Sequence, residues 1–191
     1  MDLSPAHPFS LFFANLIGSM PAEYMQESIQ IFPIDSNEGM IAHIGPMTVS
    51  FFPEGRNWTA GITHNSKDES LTGSDPTTLA ARIADWMPST QAGGTTDKKG
   101  KINQAARDWL AGLIALSETG VLLLGLEIAP VLGNSEKWVV ATMDDDPLVS
   151  GFARSYGSGA AWESDEAEGD DPAEIGGYTA FAFNAELWDR G

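Results

Sequence analysis

The sequence predicts an α+β fold, a largely antiparallel sheet of about six to seven strands packed with three to four helices. Two observations carry this. Strand-like segments come in runs joined by turn residues, so neighbours pair as meanders. Helical segments stand between those runs and do not alternate with single strands, which disfavours a doubly wound parallel sheet. A single compact domain over 1–191 is expected, because 191 residues with 42% hydrophobic content and six Trp can bury a substantial core.

The chain opens with helical material at 9–19, after Pro8, and a second short piece at 21–28 after Pro21. The period then changes to two. SIQIFPI (28–34), GMIAHIG (39–45), MTVSFF (47–52) and NWTAGITH (57–64) read as strands, separated by SNEG, Gly45-Pro46 and PEGR. NSKDESLTGS (65–74) reads as a polar linker. Asp75-Pro76 is a helix start, Asp as N-cap and Pro at the first helical position. Leu79, Ile83, Trp86 and Met87 then share one face of a helix over 76–87.

Residues 88–100 read as a flexible loop, and the basic cluster Lys98, Lys99 and Lys101 stands at its end. A helix over 102–117 follows, with a core stripe of Ile102, Ala106, Trp109, Leu113 and Leu116. GVLLLGLEI (120–128), EKWVVATM (136–143) and GYTAFAF (177–183) read as strands, while 148–160 gives no clear period. Residues 161–176 read as an acidic loop. No repeat of fixed period is present, only a coarse echo of helical material followed by strands in each half.

Charge is the most distinctive property. Twenty-seven acidic against ten basic residues give a net charge of −17, which opposes direct binding to nucleic acid or to an anionic membrane. The last quarter, 144–191, carries 12 acidic and 2 basic side chains, a net of −10. The absence of Cys excludes disulfides, thiolate metal sites and Cys nucleophiles. The apolar stretch from Phe9 to Ile17 lacks a basic leader, so a signal peptide is not expected and a cytoplasmic chain is.

Catalytic and cofactor signatures are missing. Neither a nucleophile elbow, a phosphate loop nor a dinucleotide fingerprint occurs, and Ser155 and Ser158 lie in a loose glycine-rich segment. His7, His43 and His64 show no metal-ligand spacing, although His43 and His64 with nearby carboxylates could in principle hold a metal. Glu127 in an apolar strand and Glu118 at a helix end are the carboxylates whose surroundings could raise a pKa. The acidic stretches depart from the offsets of a calcium loop. Accordingly no cofactor, no metal and no catalytic residue is expected.

What remains is the acidic surface. Asp144, Asp145 and Asp146 form one group; Glu163, Asp165, Glu166, Glu168, Asp170 and Asp171 form another, with Trp162 beside it as an apolar anchor. In an extended segment, residues two apart repeat at about 6.6 Å on one side. That spacing, found for Glu163 and Asp165 and for Glu168 and Asp170, is similar to that of phosphates along a stretched strand. In size, acidity and α+β pattern, though in no motif, the chain resembles small prokaryotic and phage inhibitors such as immunity, anti-restriction and anti-CRISPR proteins. The expected function is therefore a non-enzymatic inhibitor or neutralising protein for a basic partner, such as a nuclease or nucleic-acid-binding complex. Two alternatives compete: an acidic secretion chaperone or assembly component binding through an exposed apolar N-terminal helix (Phe9, Phe12, Phe13, Leu16), and a metal-dependent hydrolase around His43 and His64.

Overall fold

The chain is seen in a computed structural model that describes residues 7–34, 38–89, 98–117, 122–142, 147–155, 161–164, 167–169 and 171–190. The fold is α+β, as the sequence predicts. The strands of the described residues form one antiparallel sheet of ten in the order β10-β9-β8-β7-β6-β1-β2-β3-β4-β5. The first half runs α1 (Pro8–Ser19), a 3-10 helix (Ala22–Gln26), β1 (Ile29–Pro33), β2 (Met40–Ile44), β3 (Met47–Glu54), β4 (Asn57–His64), β5 (Lys67–Gly73) and α2 (Pro76–Asp85). The second runs α3 (Lys98–Leu116), β6 (Leu126–Val131), β7 (Asn134–Thr142), β8 (Pro147–Ser155), β9 (Ala161–Ser164), β10 (Ala167–Gly169) and α4 (Pro172–Arg190).

Among the described residues each half thus runs from a helix through a five-strand meander to a helix, with the 3-10 helix added in the first half. The two meanders join through their first strands. β1 and β6 pair antiparallel, Ile29 opposite Ile128, Gln30 opposite Glu127 and Ile31 opposite Leu126. An antiparallel pair of equivalent strands has a local two-fold axis, here between Gln30 and Glu127. The symmetry extends outward from that axis. Trp58 faces Gly73 at one sheet edge, and Trp162 faces Gly169 at the other. Each edge strand leads into an Asp-Pro helix start, Asp75-Pro76 in one half and Asp171-Pro172 in the other.

The helices repeat the correspondence. Phe9, Phe12, Phe13, Leu16 and Ile17 are the buried face of α1. Ala106, Trp109, Leu110, Leu113 and Ile114 recur at the same spacing and are buried in α3. Leu79, Ala80, Ile83 and Ala84 of α2 match Ile175, Gly176, Thr179 and Ala180 of α4, again all buried. The faint echo in the sequence is a structural duplication. It escapes a residue-by-residue search because the halves share burial positions far more than residue types.

The helices form one layer, with α1 packed on α2 and α3, and α3 on α4. They cover the sheet face that carries Ile31, Ala42, Val49 and Phe51, all fully buried. Phe51 is sandwiched between the Phe12 ring, stacked at 4.1 Å, and the Trp58 ring, stacked at 4.7 Å. Buried Trp138 donates its Nε1–H to the Met25 carbonyl at 2.7 Å, tying β7 to the 3-10 helix. The α3–α4 contact is closest. A Cβ at Gly176 would lie 2.0 Å from the Trp109 carbonyl, and one at Gly112 would lie 2.1 Å from that of Ala173.

Several local expectations change. The linker at 65–74 contains β5: Asn65 and Ser66 take φ of 49° and 63° and close a two-residue hairpin. Its charged sequence, KDESLTG, hides the strand because it lies at a sheet edge, where apolar alternation is not required. The expected strand at 177–183 lies in α4, because the Asp171-Pro172 start overrides the β-propensity of Tyr178, Thr179 and Phe181. The strand expected from Gly120 begins at Leu126. The unassigned 148–160 segment includes most of β8. The acidic loop 161–176 instead contributes β9, β10 and the first turn of α4, since pairing with β8 supplies the backbone partners a free loop would lack. Of the loop at 88–100, residues 98–100 already belong to α3, and 90–97 lie outside the described residues.

Candidate partner-binding surface

The sheet face turned away from the helices carries exposed and half-buried side chains, among them Gln30, His43, Ser50, Phe52, Thr59 and Glu127. One row of it runs from β3 through β4 to β5, pairing Phe52 with Thr59 and Thr59 with Thr72. The two threonine hydroxyls are 2.9 Å apart, and both also donate to the Glu54 carboxylate. The symmetry-related row pairs Phe152 with Glu163 and Glu163 with Glu168. Aromatic-Thr-Thr on one side becomes aromatic-Glu-Glu on the other. In the first half this row also holds a carboxylate, Glu54, which accepts from both threonines.

The remaining predicted binding residues divide. Trp162 takes its place in β9 beside Glu163. Asp144, Asp145, Asp146, Asp165, Glu166 and Asp170 lie outside the described residues. Asp171 has a local role: its Oδ1 accepts from the backbone N–H of Ala173 at 3.0 Å and of Glu174 at 3.4 Å, capping α4. Its counterpart Asp75 caps α2 through the Thr77 N–H and also accepts from the Thr78 hydroxyl at 2.6 Å. Those bonds hold the Asp75 carboxyl below its ordinary pKa.

Two alternative sites are not assembled. His43 pairs in register with Thr48, which pairs with Thr63. Successive strand residues point to opposite faces, so His64 projects to the helix side, where it lines a small pocket with Trp86. His43 instead contacts the Thr48 hydroxyl at 3.1 Å and the Phe32 ring. The two imidazoles cannot share a metal across the sheet. No cluster of three metal-ligating side chains occurs among the described residues. The apolar N-terminal helix is not an exposed contact either: Phe12, Phe13 and Leu16 are fully buried and Phe9 nearly so. Glu127 is exposed opposite Gln30 at the local two-fold. Glu118 and Ser158 lie outside the described residues, and Ser155 ends β8.

A polar cleft of about 410 Å³ opens between the ends of α1 and α2 and the start of α3, lined by Ser19, Glu23, Asp85, Asn103 and Arg107. Arg107 spans its floor, donating Nη1–H to the Met20 carbonyl at 3.0 Å. No helix among the described residues is long and apolar enough to cross a membrane. Comparison with protein-family models, with curated proteins and with solved structures returned no match.

Proposed function

We propose that the protein is a non-enzymatic, acidic binding protein that neutralises or inhibits a basic protein partner in the cytoplasm. A nuclease or nucleic-acid-binding complex has the surface chemistry this reading requires. One observation carries it: Glu163 and Glu168 occupy paired positions where the duplicated half carries Thr59 and Thr72. Two like charges at opposed positions oppose folding, and a cationic partner removes that penalty on binding. The net charge of −10 over 144–191 supports the reading, because it would steer a basic protein toward this edge.

The test replaces the acids with their counterparts. Glu163→Thr with Glu168→Thr should slow association with cationic partners captured from host lysate and flatten the salt dependence of their binding. Retention of the same proteins, with the same salt dependence, by both variant and parent would remove this reading.

A further inference from the structure

We infer that Leu116, Tyr178 and Phe181 form a docking surface for an amphipathic segment of a basic partner. The three are 49%, 54% and 62% exposed. They are neighbours: the Leu116 side chain lies against Gly177 of α4, beside Tyr178 and one turn from Phe181. The duplicated half supplies a control. In the buried-face alignment of the helices, Leu116 corresponds to Ser19, Tyr178 to Arg82 and Phe181 to Asp85, all exposed. The same fold is thus built with three polar residues at one end of the helix layer and three large apolar ones at the other. Folding does not require the apolar set, and a grouped apolar exposure of this kind marks an interaction site.

Charge selects the occupant. The Tyr178 hydroxyl donates to the Glu174 carboxylate at 3.2 Å, which places an acid at the rim. A second copy of the chain would bring a charge of −17 against −17. A partner helix with an apolar stripe and flanking Lys or Arg meets both the aromatic anchors and the acidic rim. The inference rests on the basic-partner reading for the sign of the partner's charge and adds the anchor that fixes where it docks.

The test uses Leu116→Ser, Tyr178→Arg and Phe181→Asp together, which copies the first half and leaves net charge unchanged. The probe is a labelled peptide of Leu and Lys, about 18 residues or five helical turns long. A Gly-Lys peptide of equal charge is the control, and binding is read by fluorescence anisotropy. The parent should bind the Leu-Lys peptide about tenfold more tightly than the triple variant does. Backbone amide shifts should concentrate at 112–117 and 174–182. Urea unfolding of the variant should match the parent; if it does not, Phe181→Asp alone replaces it. Equal affinity of parent and variant overturns the docking surface while leaving the basic-partner reading in place. So does a parent dimer, seen by light scattering, that the variant abolishes. Failure of both peptides to bind the parent overturns the two readings together.

Discussion

Glu168 stands directly opposite Glu163 on the last strand pair, at the place where Thr72 stands opposite Thr59 in the other half of the sheet. The duplication turns a compositional oddity into a comparison, because one backbone arrangement holds a neutral pair and an acidic pair. Like charges directly opposed destabilise a ladder by up to about 1 kcal/mol. Glu163→Thr with Glu168→Thr should therefore raise unfolding stability at low salt, with a smaller gain at high salt, as read by urea titration.

The α3–α4 contact depends on two missing side chains. Gly176→Ala would place Cβ on the Trp109 carbonyl, backbone that cannot yield. A loss of about 3 kcal/mol is expected, at the upper end for overpacking. Gly177→Ala meets only the mobile end of Leu116 and adds helix propensity, so it should stay within about 1 kcal/mol of the parent. Thermal unfolding of the two variants checks the contrast.

Trp138→Phe leaves the buried Met25 carbonyl without its donor. The expected cost is about 1–3 kcal/mol from the lost hydrogen bond, with some loss of packing in addition. Chemical denaturation measures it, and the 3-10 helix should lose amide protection first.

Phe12→Ala removes a fully buried ring stacked on Phe51. It should cost about 3–5 kcal/mol. Deleting residues 1–20 should collapse the fold altogether, seen as loss of cooperative unfolding. A folded truncation would contradict the burial of α1.

Asp75 gives a pH signature. Its carboxyl is held below the ordinary value, first by the Thr78 hydroxyl and then by the Thr77 N–H. A depressed pKa stabilises the fold above the unfolded-state value and loses that contribution as pH falls through the folded-state value. Asp75→Ala should lower the melting temperature at neutral pH, and the gap to the parent should close in acid. A gap that persists well below the carboxylate range would contradict the cap.

Much of the fold is legible locally. Pro8 and Asp75-Pro76 mark helix starts, and the stripe Ala106, Trp109, Leu113 marks a buried helix face, because capping and burial periodicity act within a few residues. Misreadings fall where tertiary position overrides local pattern. β5 looks like a linker because an edge strand tolerates charge. Residues 177–183 look like a strand because Tyr178, Thr179 and Phe181 favour one, whereas the Asp171-Pro172 start and the close approach of Gly176 to the α3 backbone make them helix. The candidate surface was half legible: its acids were evident, but their opposed register was not. Phe181 falls within the strand expected at 177–183, and only the helix joins it to Tyr178 and Leu116.

By itself the sequence determined the α+β class, the strong negative charge and its C-terminal bias, since these follow from composition and short-range periodicity. Only the tertiary structure decided that the chain is two related halves joined through β1 and β6. It also separated His43 from His64 by the thickness of the sheet and set Glu163 against Glu168. The physical reason is the same in each case. Burial constrains which positions must be apolar, not which residues fill them, and pairing between distant strands leaves no trace in the spacing of either strand alone.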